Sequence, residues 1–118
     1  MLDSTLDDGE IYLDNLGMAH GHLDLLLLAV LRRGGPQHGY AVISGLRDAS
    51  GGEFDLPEGT VYPALHKLER DGLVQSEWSI DDGRKRRVYA LTAPGRAALA
   101  ARKKKWALFR NGVEAVLA

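Results

Sequence analysis

The stretch Leu56-Pro57-Glu58-Gly59-Thr60-Val61-Tyr62-Pro63-Ala64-Leu65-His66-Lys67-Leu68-Glu69-Arg70-Asp71-Gly72 decides the fold. It carries its own start and stop signals. Pro57 has the preset φ of a first helical turn, and Gly72 can take the left-handed conformation that closes a helix. Between them Val61, Ala64, Leu65 and Leu68 recur at i, i+3, i+4 and i+7 and make one apolar stripe. Gly59, Pro63, His66, Lys67 and Arg70 fall on the opposite face. That face is small at its N-terminal end and cationic at its C-terminal end. Such a helix can enter a nucleic-acid groove closely while its cations reach phosphates or base edges. Pro63 leaves two readings of the start. The helix begins near Thr60, a good N-cap, or it begins near Pro57 and goes without one bond to Gly59, which is slightly preferred. An ordinary amphipathic core helix is the plain alternative, and the flanking sequence bears on that choice.

Upstream, His22 to Arg33 reads as a helix. Leucines and valines cover most of its circumference, and Gly34-Gly35-Pro36 ends it. No Gly-Lys-Ser/Thr follows the glycine pair, so it is not a phosphate loop. His38-Gly39-Tyr40 leads into a second helix to about Ala49, with Tyr40, Ile43 and Leu46 expected inward, and Ser50-Gly51-Gly52 closes it. Two short helices joined in this way form a helix-turn-helix pattern. Downstream, Leu73 to Ile80 alternates, with Val74, Trp78 and Ile80 on one face. Asp81-Asp82-Gly83-Arg84 is a turn signal, and Lys85 to Leu91 alternates again. This β-hairpin is expected to present Arg84, Lys85, Arg86 and Arg87 at its tip, a cationic run suited to an anionic polymer. A helix-turn-helix followed at once by a hairpin is a winged helix.

Thr92-Ala93-Pro94-Gly95 starts a last helix running to about Leu117. Leu99, Trp106 and Val113 are spaced by seven, with Phe109 and Val116 offset by three, a heptad-like stripe interrupted by Arg102. Dimerisation is its expected use. Arg102-Lys103-Lys104-Lys105 reads as the solvated side of this helix or as an addition to a DNA-facing field.

The whole chain sets the bounds. Its 118 residues make one domain, and 45% apolar residues suit a globular protein. Cysteine is absent, which excludes disulfides, thiolate metal sites and a cysteine nucleophile. The run Leu25 to Leu31 is too short to span a bilayer and no secretory signal is visible, so a cytoplasmic protein is expected. The net charge of -1 conceals segregation. Residues 1–30 carry six acids and no Lys or Arg, leaving 15 bases against 10 acids in residues 31–118, a net of +5 there. Residues 1–19 read as a mobile acidic arm, or as a helix from about Ile11 that packs on a partner subunit. Residues 20–92 read as the winged-helix domain and 93–118 as the dimerisation helix.

With its helices and hairpin in this order, the chain resembles the PadR family of bacterial transcriptional regulators from about Gly21 to the C-terminus. The marks are the Leu-rich helix ending at Leu31, His38-Gly39-Tyr40, Gly59-Thr60-Val61-Tyr62-Pro63-Ala64-Leu65, and Leu68-Glu69-Arg70-Asp71-Gly72-Leu73-Val74. Trp78, Arg86-Arg87-Val88-Tyr89 and Leu91-Thr92-x-x-Gly95 complete them. The resemblance implies a mostly α protein with a small β-hairpin: a winged helix-turn-helix with N- and C-terminal dimerisation helices. It implies a homodimer, usually a repressor, that binds palindromic double-stranded DNA and is often released by a small molecule. The single C-terminal helix suits the smaller PadR subgroup, in which a tryptophan on this helix lines a pocket at the dimer centre. Trp106 stands at the matching place.

The expected DNA-contacting residues are Tyr40, Gly59, Thr60, Tyr62, Pro63 and His66, followed by Lys67 and Arg70 and by the wing residues Arg84, Lys85, Arg86 and Arg87. Trp106 and Phe109 are the expected effector residues, Trp106 serving either as plain interface core or as the wall of a slot for a planar aromatic molecule. Leu23, Leu27, Leu99, Trp106, Phe109, Val113 and Val116 are the expected dimer contacts. No cofactor or metal is expected. The histidines His20, His22, His38 and His66 lack ligand spacing, and no catalytic triad can be argued, so an enzyme is disfavoured. A winged helix that binds protein instead of DNA is the remaining rival, and it has no need of cations on adjacent elements.

Overall fold

A computed structural model describes residues 21–118. The acidic arm, and the choice between its two readings, lie outside the described residues.

Helix α1 (Leu23–Gly34) is central. Leu23, Leu27, Leu28, Val30 and Leu31 are buried, and the helix packs against the three other described helices and the sheet. Gly35 ends it at φ 72°. The Gln37 amide nitrogen donates to the carbonyls of Val30 and Gly35, each at 3.0 Å, and so satisfies two carbonyls at that turn.

Strand β1 (Gln37–His38) was not foreseen. Two residues carry too little alternation to announce a strand. It pairs antiparallel with β3, matching Gln37 to Tyr89 and His38 to Val88. The hairpin therefore belongs to a three-stranded sheet of order β1-β3-β2.

Helix α2 (Gly39–Ala49) buries Gly39, Val42, Ile43 and Leu46. Tyr40, expected inward, points outward and is 62% exposed. The buried row is counted from Gly39, and a shift of one residue turns a side chain about 100° around a helix. Gly39 is needed there because a methyl group would overlap the ring of Tyr62.

Helix α3 (Glu58–Arg70) starts directly after Pro57, so the earlier of the two starts is found and Pro63 lies within the helix. Val61, Leu65 and Leu68 are buried. The C-terminus is a Schellman closure: Leu73 N–H donates to Leu68 O and Gly72 N–H to Glu69 O, each at 3.0 Å, with Gly72 at φ 79°.

Strands β2 (Val74–Asp81) and β3 (Arg84–Leu91) form the wing. Asp82 and Gly83 connect them at φ 52° and 75°, as a two-residue type I′ turn requires. Helix α4 (Ala93–Leu117) has Thr92 as N-cap, whose hydroxyl accepts from Gly95 N–H at 3.0 Å. The same hydroxyl donates to Gly72 O at 2.7 Å. A methyl group on Gly95 would run into the carbonyl of Leu73. The Leu91-Thr92-x-x-Gly95 motif is thus the joint between the closure of α3 and the start of α4.

Among the described residues the core consists of 15 buried apolar side chains, Leu56 from the connector before α3 and the others from every described element except β1. Truncating one of the fully enclosed residues, such as Leu27, to alanine costs about 2–5 kcal/mol. Leu23, Leu27 and Leu99, expected at a dimer interface, belong to this core and are already covered by the chain itself. Helical periodicity reports only that a face is buried and not which surface covers it. After Leu99, α4 buries no residue fully and runs out from the body.

Candidate nucleic-acid interface

The face of α3 opposite its buried stripe is exposed at Gly59, Pro63, His66, Lys67 and Arg70, while Thr60 and Tyr62 are half-buried. Nothing lies within 4 Å of a methyl group placed on Gly59, so this end of the helix is open to close approach. Lys67 forms an exposed i,i+4 pair with Asp71 at 3.3 Å. Such pairs contribute only about 0.3–0.5 kcal/mol, so the ammonium is readily given up to a phosphate. His66 is less free than its exposure suggests, because its Nε2 shares a 3.2 Å hydrogen bond with the Tyr89 hydroxyl. Tyr89 is buried, and burial pushes its pKa above the usual tyrosine value, with Arg87 opposing and Glu69 adding to the shift.

The wing corrects the expected cluster of four cations at its tip. All four residues belong to β3, where successive side chains point to opposite faces. Arg84 and Lys85 are exposed next to the turn. Arg86 is half-buried, with Nη1 2.9 Å from His38 Nε2. Arg87 is half-buried on the other face. Its Nε donates to Ser76 Oγ at 2.8 Å, and its guanidinium lies 5.2 Å from the Trp78 ring centre. Lys85 Nζ lies 4.9 Å from the same ring. Trp78 and Ile80 share a face with Val74 as expected, yet they remain 57% and 77% exposed because the outer wing extends past the core.

His38 joins the wing to α2. Its Nδ1 accepts from Ala41 N–H at 3.3 Å and caps the helix, while its Nε2 faces Arg86. Arginine is always protonated and can only donate, and a neutral imidazole has one acceptor nitrogen. One acceptor nitrogen therefore has to serve two donors, and the ring completes either the cap or the link to Arg86.

A cleft of about 490 Å³ lies between these parts, lined by His38 to Tyr40, Tyr62, Arg84 to Arg87 and Tyr89. It brings together the predicted Tyr40, Tyr62 and wing cations. Lys67 and Arg70 do not line it and lie about 8 and 12 Å further along α3 from Tyr62.

A second groove, of about 450 Å³, lies where α4 passes the start of α1. Trp106 and Phe109 line it together, with ring centres 5.7 Å apart. His22 also lines it, edge-on to Trp106 at 4.9 Å. Sequence reasoning missed His22, since no spacing links it to residue 106. Arg102, the break in the heptad stripe, also lines this groove and pairs with Asp24 of α1 at 3.5 Å. Phe109 is exposed at the groove, and so are Leu108, Val113, Val116 and Leu117 outside it. Among the described residues no cluster could hold a metal ion, and no helix is long and apolar enough to cross a membrane.

A helix-turn-helix, a wing packed on its second helix and cations on both define the winged-helix class of transcription regulators. The chain belongs to the PadR-like family of transcriptional regulators, whose family model matches residues 27–101. Among solved structures it is similar to a PadR family transcriptional regulator from Eggerthella lenta, 30% identical, with a TM-score of 0.79 over 93% of this chain and 94% of that one. A transcriptional regulator from Clostridium thermocellum, 22% identical, shares the fold with a TM-score of 0.76 over 83% of this chain and 95% of that one. The transcriptional regulator Rv3488 of Mycobacterium tuberculosis is 56% identical over 46 residues, which span 39% of this chain and 43% of that regulator's length.

Proposed function

We propose that this chain is a homodimeric, sequence-specific DNA-binding repressor acting on a palindromic operator. The observation that carries the reading is the cleft that sets Tyr40 and Tyr62 opposite the wing cations, next to an α3 face left open at Gly59 and cationic at Lys67 and Arg70. In this reading α3 enters the major groove, and Arg84 and Lys85 at the wing tip meet the flanking backbone or minor groove. The apolar face of α4 from Trp106 to Leu117 covers its own copy. That places two α3 helices in successive major grooves about 10 base pairs apart, or a multiple of that distance.

The test is a mobility shift with DNA from immediately upstream of the protein's own coding sequence, repeated across salt concentrations. Lys67→Ala, Arg70→Ala and Arg84→Ala should each weaken binding, and each lost phosphate contact should reduce the salt slope by about 0.9. No binding to any duplex would favour a winged helix that docks on protein.

The groove at Trp106 supports a second element, release by a small molecule. Two walls of the groove are aromatic, so a planar aromatic ligand stacked there gains about 0.5–1.5 kcal/mol beyond area burial. To release DNA it must favour one spacing of the two wings over another. Calorimetric titration of planar aromatic cations should show micromolar binding that is lost in Trp106→Ala. Binding that survives the substitution would place the ligand elsewhere, and no binding would leave Trp106 as interface core.

A further inference from the structure

The wing cations cannot all have the same task, and the polar contacts of Arg87 distinguish it from its neighbours. Glu69, Ser76 and Arg87 come from α3, β2 and β3 respectively. Ser76 Oγ donates to Glu69 Oε2 at 2.6 Å and accepts from Arg87 Nε at 2.8 Å, so the hydroxyl's one proton is used in a fixed direction. Arg87 Nη2 is 3.8 Å from the same carboxylate oxygen. The guanidinium also lies 5.2 Å from the Trp78 ring centre. An isolated surface ion pair contributes little, but here the pair is partly covered and is joined through a hydroxyl whose bonds are directional. On the outer edge of the sheet, β2 has β3 alone as a ladder partner among the described residues. The Glu69–Ser76 bond is therefore a direct polar tie from that edge to α3.

We propose that Glu69, Ser76 and Arg87 form a brace that sets the angle of the wing over α3, and that Arg87 is a positioning residue and not a DNA contact. The proposal rests on the DNA-binding reading for its consequence, but the brace belongs to the free protein. Its charge logic gives opposite signs for the two roles. Glu69 is an anion near a DNA-facing helix. If it acted through charge alone, its removal would tighten DNA binding. If it holds the wing, its removal weakens binding. Lysine in place of Arg87 keeps the charge that a phosphate needs but lacks the planar fork that meets Ser76 and covers Trp78.

The experiment measures affinity for the upstream duplex against salt concentration in Glu69→Ala, Glu69→Gln, Arg87→Lys and Arg84→Gln, with far-UV circular dichroism to confirm folding. Alanine is a strong helix former, so α3 should tolerate it. The expected result is a loss of about threefold to tenfold in Glu69→Ala and in Arg87→Lys with an unchanged salt slope, the size that a lost hydrogen-bond network gives. Glu69→Gln, whose amide oxygen still accepts from Ser76, should stay within about twofold of the parent. Arg84→Gln should lower the slope by about 0.9. Tighter binding by Glu69→Ala, or parental affinity in Arg87→Lys, overturns the brace. If the parent protein binds no duplex, it is the DNA-binding reading that fails. The brace is then decided by hydrogen exchange in the free protein. Faster exchange of β2 and β3 amides in Glu69→Ala, with α1 protection unchanged, supports it, and unchanged wing exchange overturns it.

Discussion

Arg86 Nη1 lies 2.9 Å from His38 Nε2, and through this one ring the wing is tied to the residue that caps α2. The two uses of the ring can be separated by substitution. His38→Ala loses both and should destabilise the fold by about 0.5–2 kcal/mol, the usual cost of a lost N-cap. His38→Asn keeps a good cap acceptor but its short side chain loses Arg86, and should recover most of that stability. Denaturant midpoints measure the difference. A midpoint for His38→Asn as low as that of His38→Ala would show that the link to Arg86 carries the stability and the cap does not.

Two glycines should respond in opposite ways to alanine. Gly59 has open space around it and ordinary helical φ, so Gly59→Ala should stabilise the protein by about 0.5–1 kcal/mol. The added methyl group stands on the face expected to approach DNA, so affinity for the operator should fall while the melting temperature rises. Gly95 lies against the Leu73 carbonyl, and there the clash should outweigh the gain in helix propensity. Gly95→Ala should lower stability by about 1–3 kcal/mol. Thermal melts of the pair, alongside binding curves for Gly59→Ala, check both signs.

Tyr89 makes stability depend on pH at the alkaline end. Burial raises its pKa above 10.0, so the folded state holds the phenolic proton more tightly than the unfolded chain does. The corresponding stability is complete below pH 10 and is lost as pH rises through the folded-state pKa. Denaturant unfolding between about pH 9 and 11 should show this decline in the parent protein and a shallower one in Tyr89→Phe. Equal slopes would mean that other groups govern the alkaline limit.

The exposed apolar face of α4 should hold the homodimer together. Phe109→Asp with Val113→Asp places two charges on it without touching the core. Sedimentation should then show a folded monomer at micromolar concentration where the parent protein sediments as a dimer. A parent that is already monomeric would remove the dimer from the proposed function.

The long elements were legible because each combines a period with punctuation. The Val61, Ala64, Leu65 and Leu68 stripe between Pro57 and Gly72 is α3, and Asp82-Gly83 between alternating runs is the wing turn. What was not legible depends on which surface meets which. Leu27 has the same spacing whether its own domain or a partner covers it. Arg84 to Arg87 look alike as letters, and only their distance along β3 from the turn separates the two cations at the tip from the two drawn into polar contacts, which the pleat then sends to opposite faces. Strand β1 is two residues long and exists because Tyr89 and Val88 offer it a ladder. His22 and Trp106 are 84 positions apart, and no local signal connects them.

The hydroxyl of Thr92 begins α4 and at the same time holds the carbonyl of Gly72 that closes α3. Mechanically this joint makes α4 a lever whose short end is α3. Its 25 residues give an arm of about 37 Å. A tilt of about 5° at the joint therefore moves the far tip by about 3 Å. Read in reverse, a displacement of that size imposed at the far end reaches α3 as a rotation of a few degrees. Whatever seats the outer half of α4 thereby also sets the orientation of α3.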